Sequence, residues 1–212
     1  YILDQSVINT VFDMAESAIK RSVGRPREFD EDAVLEAAMD AFWTKGYEAT
    51  SLADLCTCTG LHKGSLYQAF GDKHDLFMKS LRHYADTEFR EVASVAFRSD
   101  SPLENIRSAV GKICEDAGQE KGCMMINSMV ELAPHDPEVR EALKGFADQR
   151  IRVMADMIGK AQDAGEIRSA LPADDLARQL MVTLAGAAAI AKGFMSQEEV
   201  TRVVKNLVDS WI

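Results

Sequence analysis

The stretch at residues 50–70 constrains the fold of this chain most, because it holds two short helical patterns separated by a glycine. Thr50 or Ser51 can cap the first helix, and Gly60 can end it. In the second segment, leucine and phenylalanine recur at helical spacing, and polar residues occupy the other faces. The pattern predicts a helix-turn-helix whose second helix can enter the major groove of DNA. A plain helical hairpin with a glycine turn has the same pattern, so these two helices alone leave both interpretations open.

The charge distribution favours the nucleic-acid interpretation. Residues 56–70 contain no acidic side chain, although the formal net charge of the chain is −10. Residues 20–82 carry nine basic and ten acidic side chains, so most of the excess negative charge lies elsewhere. An acidic body repels DNA, and binding would therefore depend on a small basic surface.

The segments that flank this stretch carry a family resemblance. GRPREF begins at Gly24, and FWTKGYEATSL, GLHKGSLYQAF and GDKHDLF follow it in order. Over about 50 residues these segments closely resemble the DNA-binding domain of the TetR family of bacterial transcriptional repressors. The landmarks are Phe42, Gly46, Tyr47, Thr50, Leu55, Gly60, Lys63, Gly64, Tyr67, Phe70, Lys73 and Leu76. The sequence departs from the family pattern at Cys56, Cys58, Thr59 and His62, which affects the expected operator sequence rather than the fold.

The resemblance and the side-chain chemistry assign the same residues to the DNA backbone. Lys63 and Tyr67 are expected to hold phosphates, and Thr50 is expected to bond a phosphate from the N-terminus of its helix. Gly64 would allow the backbone to approach DNA closely. Lys73 begins the next helix, where backbone N–H groups favour a phosphate.

Base reading is expected from His62, Ser65 and Gln68, since glutamine can pair bidentately with adenine. Arg25 and Arg27 belong to a basic arm at residues 20–27. Such an arm can follow phosphates or enter the minor groove, and a merely solvated tail is the alternative.

Apolar periodicity predicts an all-α chain with one helix before the helix-turn-helix and six after it. At 212 residues and 47% hydrophobic composition, the chain can bury a substantial core. We predict a three-helix DNA-binding domain at residues 23–71 and a helical-bundle effector and dimerisation domain at residues 72–212. Residues 1–22 form an extension, which is either an amphipathic segment packed on the body or a wrongly chosen start that stays disordered.

The sixth predicted helix, at residues 121–133, suggests an effector pocket. Cys123, Asn127 and Glu131 recur at every fourth position beside Met124, and Met154 lies on the apolar stripe of the seventh helix. A polar stripe among flexible methionines suits an adaptable site for a small molecule. The alternative is that Asn127 and Glu131 tie neighbouring helices together and that the methionines are ordinary core.

The cysteines suggest a second way of sensing. Cys123 follows Lys121 near a helix start, conditions that lower the pKa of a thiol, and Cys114 is a second candidate for oxidation. Capture of an oxidant or electrophile there would release DNA, whereas burial would leave both thiols inert. Cys56 and Cys58 point in different directions on their helix, and we expect them to be small buried residues.

The chain has no cysteine or histidine spacing typical of a metal site, so no metal and no cofactor is predicted. It also has no nucleophile elbow, phosphate loop or catalytic carboxylate pair, so we predict a protein that is not an enzyme. A protein-interaction module without DNA binding remains a remote alternative.

The family resemblance implies a homodimer formed by the last two helices and a palindromic double-stranded DNA operator. The longest uncharged apolar run, at residues 180–191, is shorter than the ~20 residues that span a bilayer. We therefore predict a cytoplasmic repressor that has no membrane partner and responds to an unknown small molecule.

Overall fold

The computed structural model describes residues 29–117 and 121–212, and Asp32–Ile212 form one compact unit. Within these described ranges the regular structure consists of nine α-helices and no strand, as the sequence predicts. In chain order they are α1 (Glu31–Lys45), α2 (Leu52–Thr59), α3 (Lys63–Phe70), α4 (Lys73–Ala96), α5 (Pro102–Ala117), α6 (Met124–Glu131), α7 (Pro137–Asp163), α8 (Ala173–Ile190) and α9 (Gln197–Asp209). The extension at residues 1–22 and the basic arm with Arg25 and Arg27 lie outside the described residues.

Local capping signals fix the ends of the first helices where the sequence predicts them. Gly46 follows α1 at φ 85°, and Gly60 ends α2 at φ 69°, a left-handed conformation that glycine adopts without strain. Of the two candidate caps for α2, Ser51 is the one used, because its side chain accepts from the Asp54 N–H in a reciprocal capping box. The two helices of the hairpin are therefore separated by a short, well-defined turn.

The first three helices pack around a small apolar core together with the start of α4. Leu55 and Leu66 are completely buried, one from each helix of the hairpin. The ring of Phe77, on α4, meets that of Phe42, on α1, edge to face with centroids 5.3 Å apart. These four elements form the segment that we call the head.

The remaining helices form a second core, which we call the body. It joins the far end of α4 to α5, α7, α8 and α9 through buried aliphatic side chains such as Ile106, Ile158, Leu180 and Val204. The carbonyl of Trp211 accepts backbone hydrogen bonds from both Arg168 and Ser169, so the C-terminus is tied to the loop between α7 and α8. Because α4 contributes to both cores, the predicted division at residues 71 and 72 stays a prediction.

Helix α6 is shorter than the predicted span of residues 121–133. Gly122 has φ 65°, and Cys123 is the extended N-cap, so the helix begins only at Met124. The next helix begins as predicted, because the Asp136 carboxylate accepts from the N–H groups of Glu138 and Val139. No helix in the described part of the chain is both long and apolar enough to cross a membrane.

Candidate DNA-reading helix and effector cavity

Helix α3 divides its residues cleanly between the core and solvent. Leu66 and Phe70 are buried against the rest of the head. The predicted contact residues surround this buried pair: His62, Lys63, Gly64, Ser65 and Gln68 are exposed, and Tyr67 is half-buried. The structure thus brings six of the ten predicted DNA contacts together on one short helix and its cap.

The N-terminus of α3 is suited to an anion. His62 is the N-cap, but its side chain makes no capping hydrogen bond, and the first turn contains no acidic residue. The backbone N–H groups of this turn and the positive end of the helix dipole therefore favour a phosphate. The Lys63 ammonium lies 5.5 Å from the centroid of the Tyr67 ring, so the two side chains predicted to contact phosphates lie on the same side of the helix.

Neither the packing of the head nor the backbone conformation requires glycine at position 64. It lies inside α3, and a Cβ atom at this position would meet nothing within 4 Å. Its φ angle is not positive, so the backbone conformation is open to any residue. The missing side chain leaves space outside the molecule, in agreement with the predicted close approach of DNA.

Thr50 does not occupy the predicted position. The residue is completely buried, and its hydroxyl donates to the carbonyl of Gly46 at 2.6 Å, which closes the turn before α2. The geometry therefore opposes a phosphate contact from its side chain and leaves Ser51 as the exposed hydroxyl at this helix end. The predicted phosphate contact required Thr50 to lie at the surface, but Thr50 precedes the N-cap Ser51 and faces inward.

Lys73 also has an internal partner. Its ammonium lies 4.3 Å from the centroid of the Tyr47 ring, a cation–π contact within the head. The N-terminus of α4, where a phosphate was expected, carries the reciprocal capping box of Asp72 and Asp75. A phosphate contact by Lys73 stays a prediction, because its distance from DNA depends on how the head docks.

The cysteines of α2 are less buried than predicted. Cys58 is exposed and Cys56 is half-buried, because Leu55 takes the core position between α2 and the rest of the head. The expectation that both are small buried packing residues is wrong. They lie about 100° and about 60° to either side of Leu55 around the helix, at the edges of the side that Leu55 buries.

Helix α6 is fastened to the head at both ends. Near its start, the Trp43 indole donates to the carbonyl of Gly122 at 3.0 Å. At its other end, the Glu131 carboxylate accepts from the backbone N–H groups of Tyr47 and Glu48 at 3.0 and 2.9 Å. These bonds connect the loop after α1 directly to α6.

The predicted polar stripe of α6 serves these connections. Asn127 donates to the carbonyl of Lys121 and accepts from the ammonium of Lys192, both at 2.9 Å. Together with Met124 and Glu131, it lines an open surface depression beside α1 rather than an internal cavity. The contacts favour the alternative interpretation, in which Asn127 and Glu131 tie neighbouring segments together.

Two adjoining cavities lie instead inside the body. Both are narrow and partly open to solvent, and the space that admits a water-sized atom is about 50 Å³ in the first and about 70 Å³ in the second. Cys123 lines the second cavity and Met154 the first, so two of the five predicted effector residues face this space. The residues common to both cavities are Glu88, Ile113, Arg150 and Met181. We call the two together the effector cavity.

The most polar feature of this cavity is the ion pair of Glu88 and Arg150. Their side chains are only 12% and 16% exposed and are hydrogen-bonded to each other. Burial raises the pKa of the Glu88 carboxyl, while Arg150 opposes that rise. A charged pair held among methionines and aliphatic side chains gives the site a strong orienting group.

Glu88, Arg150 and Met181 were not among the predicted effector residues, although the sequence contains a signal for the ion pair. Glu88 follows Tyr84 by four positions and Arg150 precedes Met154 by four, so each charged residue falls on a buried helical stripe. Charged residues on an apolar stripe are rare unless they are paired. The pairing itself joins α4 to α7 and is not visible in the sequence.

Cys123 does not have the predicted lowered pKa, and the pKa of Cys114, the second candidate for oxidation, is also raised. Burial raises the pKa of the Cys123 thiol, and the negative charge of Glu88 raises it further. Burial likewise raises the pKa of Cys114, which is only 1% exposed. The expected effect of Lys121 fails because its ammonium pairs with Asp40 on α1. These environments oppose the redox interpretation, since the thiolate is the reactive form.

Comparison with known proteins agrees with this arrangement. The sequence family described as "Bacterial regulatory proteins, tetR family" matches residues 34–78, and "Tetracyclin repressor-like, C-terminal domain" matches residues 102–207. The HTH-type transcriptional repressor ComR of Escherichia coli is 30% identical over 197 residues, which cover 91% of this chain and 94% of ComR. The uncharacterized HTH-type regulator YezE of Bacillus subtilis is 33% identical over 152 residues, 68% of this chain and 76% of that protein.

A similar solved structure is a cysteine-substituted form of the TetR-family regulator CifR in complex with 26-bp double-stranded operator DNA. It superposes with a TM-score of 0.77 at 28% identity and covers 89% of this chain and 100% of CifR. The matches extend over the head and the body alike. The chain therefore belongs to the TetR family of helix-turn-helix transcriptional regulators.

Proposed function

We propose that the protein is a homodimeric repressor that binds a palindromic operator through α3 and leaves it when a small molecule enters the effector cavity. The observation that carries this proposal is the exposed, acid-free face of α3 with its uncapped N-terminus. The operator complex of CifR and the repressor ComR support it as relatives. A repressor of this kind acts in the cytoplasm, where the bacterial chromosome lies.

The last two helices support the homodimer. Val182 on α8 is 74% exposed, Phe194 in the following loop 89%, and Val203 on α9 48%. Large apolar side chains at such exposure are typical of an interaction surface. A two-fold axis through this surface would place two copies of α3 about 34 Å apart along DNA, the spacing of successive major grooves.

Helices α4 and α6 connect the cavity with the head, which supports release of DNA by an effector. Cys123, at the start of α6, lines the cavity, and Glu131, at the end of α6, holds the loop after α1. Helix α4 contributes Glu88 to the cavity and Phe77 to the head. A ligand that favours one position of α4 and α6 would therefore shift the population of head positions.

Selection of bound fragments from random DNA at near-physiological salt tests the proposal, with the reduced dimer as bait. We expect enrichment of a palindrome whose half-sites lie about one helical turn apart. On that operator, Lys63→Ala should weaken binding to every sequence and reduce the salt dependence. Gln68→Ala should change the preference at particular base pairs.

Failure to enrich any sequence with an intact dimer would overturn the proposal and favour a protein-interaction module. If both variants lost affinity equally for all sequences, the division of α3 into phosphate and base contacts would be wrong. A salt slope unchanged in Lys63→Ala would remove this residue from the phosphate contacts.

A further inference from the structure

The walls of the effector cavity carry more negative than positive charge. Glu88 and Asp116 contribute carboxylates, and Arg150 contributes the only guanidinium or ammonium group among the described residues that line the cavity. Arg150 is already paired with Glu88. The charge of Asp116 is therefore not compensated from within the cavity.

Only one of the two carboxylate oxygens of Asp116 has a hydrogen-bond partner among the described residues. One carboxylate oxygen, Oδ1, accepts from the Lys112 ammonium at 2.7 Å, and the same ammonium is shared with Glu91 at 3.0 Å. The other oxygen, Oδ2, is buried and has no hydrogen-bond partner among the described residues. A buried carboxylate oxygen without a donor is costly, since it has lost water and gained nothing in exchange.

The two carboxylates also act on each other. Burial raises the pKa of Glu88 against the opposing effect of Arg150, and the negative charge of Asp116 adds to the rise. A positive charge placed near both groups would relieve this repulsion and supply the missing donor. A ligand that is cationic and carries N–H bonds would therefore complement Asp116 and Glu88.

The rest of the lining is apolar and adaptable. Met125, Met154 and Met181 are flexible and polarizable side chains that can shift around a ligand. Phe89 lines one cavity and Tyr84 the other, and aromatic rings attract cations. A ligand that fits has a hydrophobic body and one compact charged end.

We propose that the effector is a small hydrophobic amine, bound in protonated form, whose ammonium donates to Asp116 Oδ2 beside Glu88 and whose apolar body lies among the methionines. This inference rests on the proposed function, because it names the effector class of the same cavity. A carboxylate ligand is disfavoured, since it would meet two wall carboxylates and reach Arg150 only by displacing Glu88. A quaternary ammonium has the charge but lacks the N–H donor.

Calorimetric titration of the intact dimer with three isosteric probes tests the proposal at pH 7.5. The probes are 4-phenylbutylamine, 4-phenylbutan-1-ol and 4-phenylbutyrate, which share a phenyl ring on an alkyl chain and end in a cation, a neutral hydroxyl and an anion, respectively. We expect the amine to bind at least about tenfold more tightly than the alcohol and the acid. Asp116→Asn should remove this preference and leave affinity for the alcohol unchanged.

Asp156→Asn is the matched control. Asp156 also pairs with a lysine four positions away, Lys160, but it is exposed and lies outside the cavity. It should keep the preference for the amine. The proposal is overturned if the acid binds most tightly, if amine and alcohol bind equally, if none of the three binds, or if Asp116→Asn behaves like the control.

Operator binding by the same samples, measured by fluorescence anisotropy, separates the two proposals. An amine that binds through Asp116 without weakening operator binding would support the ligand class and overturn release by an effector. A dimer that binds the amine but selects no DNA would overturn the repressor function while the calorimetric result still stands.

Discussion

At the residue scale, the Glu131 carboxylate forms one of the links between the body and the head. It accepts from two successive backbone N–H groups, those of Tyr47 and Glu48, which otherwise belong to the open loop after α1. Gly46 lies directly beside it, since a Cβ atom there would come within 3.0 Å of the carboxylate oxygens. Glycine at this position thus permits both the left-handed backbone and the close carboxylate.

Glu131→Ala should therefore loosen the head. We expect the free energy of unfolding to fall by about 1–3 kcal/mol, the usual range for losing hydrogen bonds to a charged group. Hydrogen exchange at the Tyr47 and Glu48 amides should accelerate, because both lose their acceptor. Urea denaturation and exchange monitored by NMR measure the two effects.

The control for this change is Glu141→Ala, at an exposed position of α7. It should leave both quantities close to those of the unchanged protein. Equal behaviour of the two variants would show that the Glu131 contact contributes nothing in solution.

Burial of the thiols predicts a clear order of reactivity. Burial raises the pKa of Cys58, Cys114 and Cys123, but Cys58 is exposed, whereas Cys114 is buried and Cys123 is half-buried. At pH 7, iodoacetamide should therefore modify Cys58 faster than Cys114 and Cys123. A raised pKa means that less thiolate is present at neutral pH, so modification of Cys123 should accelerate as pH rises. Mass spectrometry of timed digests measures each site separately.

Cys58→Ser is the control for this order, because it should remove the early modification and leave the slow ones. Rapid modification of Cys123 at pH 7, at a rate similar to Cys58, would contradict the assigned environment. It would restore the redox interpretation of this regulator.

At the scale of the element, most side chains of α3 remain available for contact with another molecule. Its buried side is limited to Leu66 and Phe70. Its first turn has neither a side-chain cap nor an acidic residue, although both features stabilise isolated helices. The helix is held by packing, and its N-terminus stays open for an anion.

Gly64→Ala distinguishes the effect of this glycine on stability from its effect on operator binding. With open space around the Cβ position, alanine should leave stability unchanged or raise it by up to about 1 kcal/mol through helix propensity. Operator affinity should fall about tenfold or more, because the methyl group would obstruct close approach of the DNA backbone. Thermal unfolding and anisotropy titrations measure the two quantities.

Gly145→Ala is the matched control, an exposed glycine inside α7 whose Cβ position is equally open. It should produce the same small gain in stability and no change in operator affinity. If Gly64→Ala also retained full affinity, close approach at this position would be refuted.

At the scale of the whole molecule, α8 and α9 each use one side for the core of the body. Leu180 and Val204 are buried on that side, whereas Val182 and Val203 remain exposed. Among the described residues, this second side presents exposed apolar side chains that the core of the body does not use. It is therefore the place where the proposed homodimer would gain its apolar contact area.

Val182→Glu should convert the proposed dimer into monomers. Burying an unpaired carboxylate in an apolar interface is unfavourable, and we expect the dissociation constant to rise about a hundredfold or more. Affinity for a palindromic operator should fall with it, because the two heads would bind independently. Sedimentation over a range of concentrations measures the mass, and anisotropy measures the DNA affinity.

Val130→Glu is the control, since Val130 is 76% exposed on α6 and Val182 is 74% exposed. It should leave the molecular mass unchanged. A Val182→Glu protein with the mass of the unchanged protein would place the interface elsewhere.

The sequence by itself determined the features whose causes lie within a turn or two of chain. Caps such as Ser51 and Asp136, the stop at Gly60 and the apolar periodicities predicted the helices and most of their ends. The helical spacing of α3 also separated its buried leucine and phenylalanine from the predicted DNA contacts. Capping bonds and helical faces depend on neighbouring residues, which the sequence shows directly.

Only the tertiary structure decided how the polar side chains and cysteines are buried and which distant residues they contact. It turned Thr50 inward, exposed Cys58, directed Asn127 and Glu131 to tethering contacts and paired Glu88 with a residue of α7. The effector cavity is lined from α4, α5, α6, α7 and α8 together, so no single segment carries its signature. Burial and pKa depend on the packing of residues far apart in the chain, which periodicity within one helix does not specify.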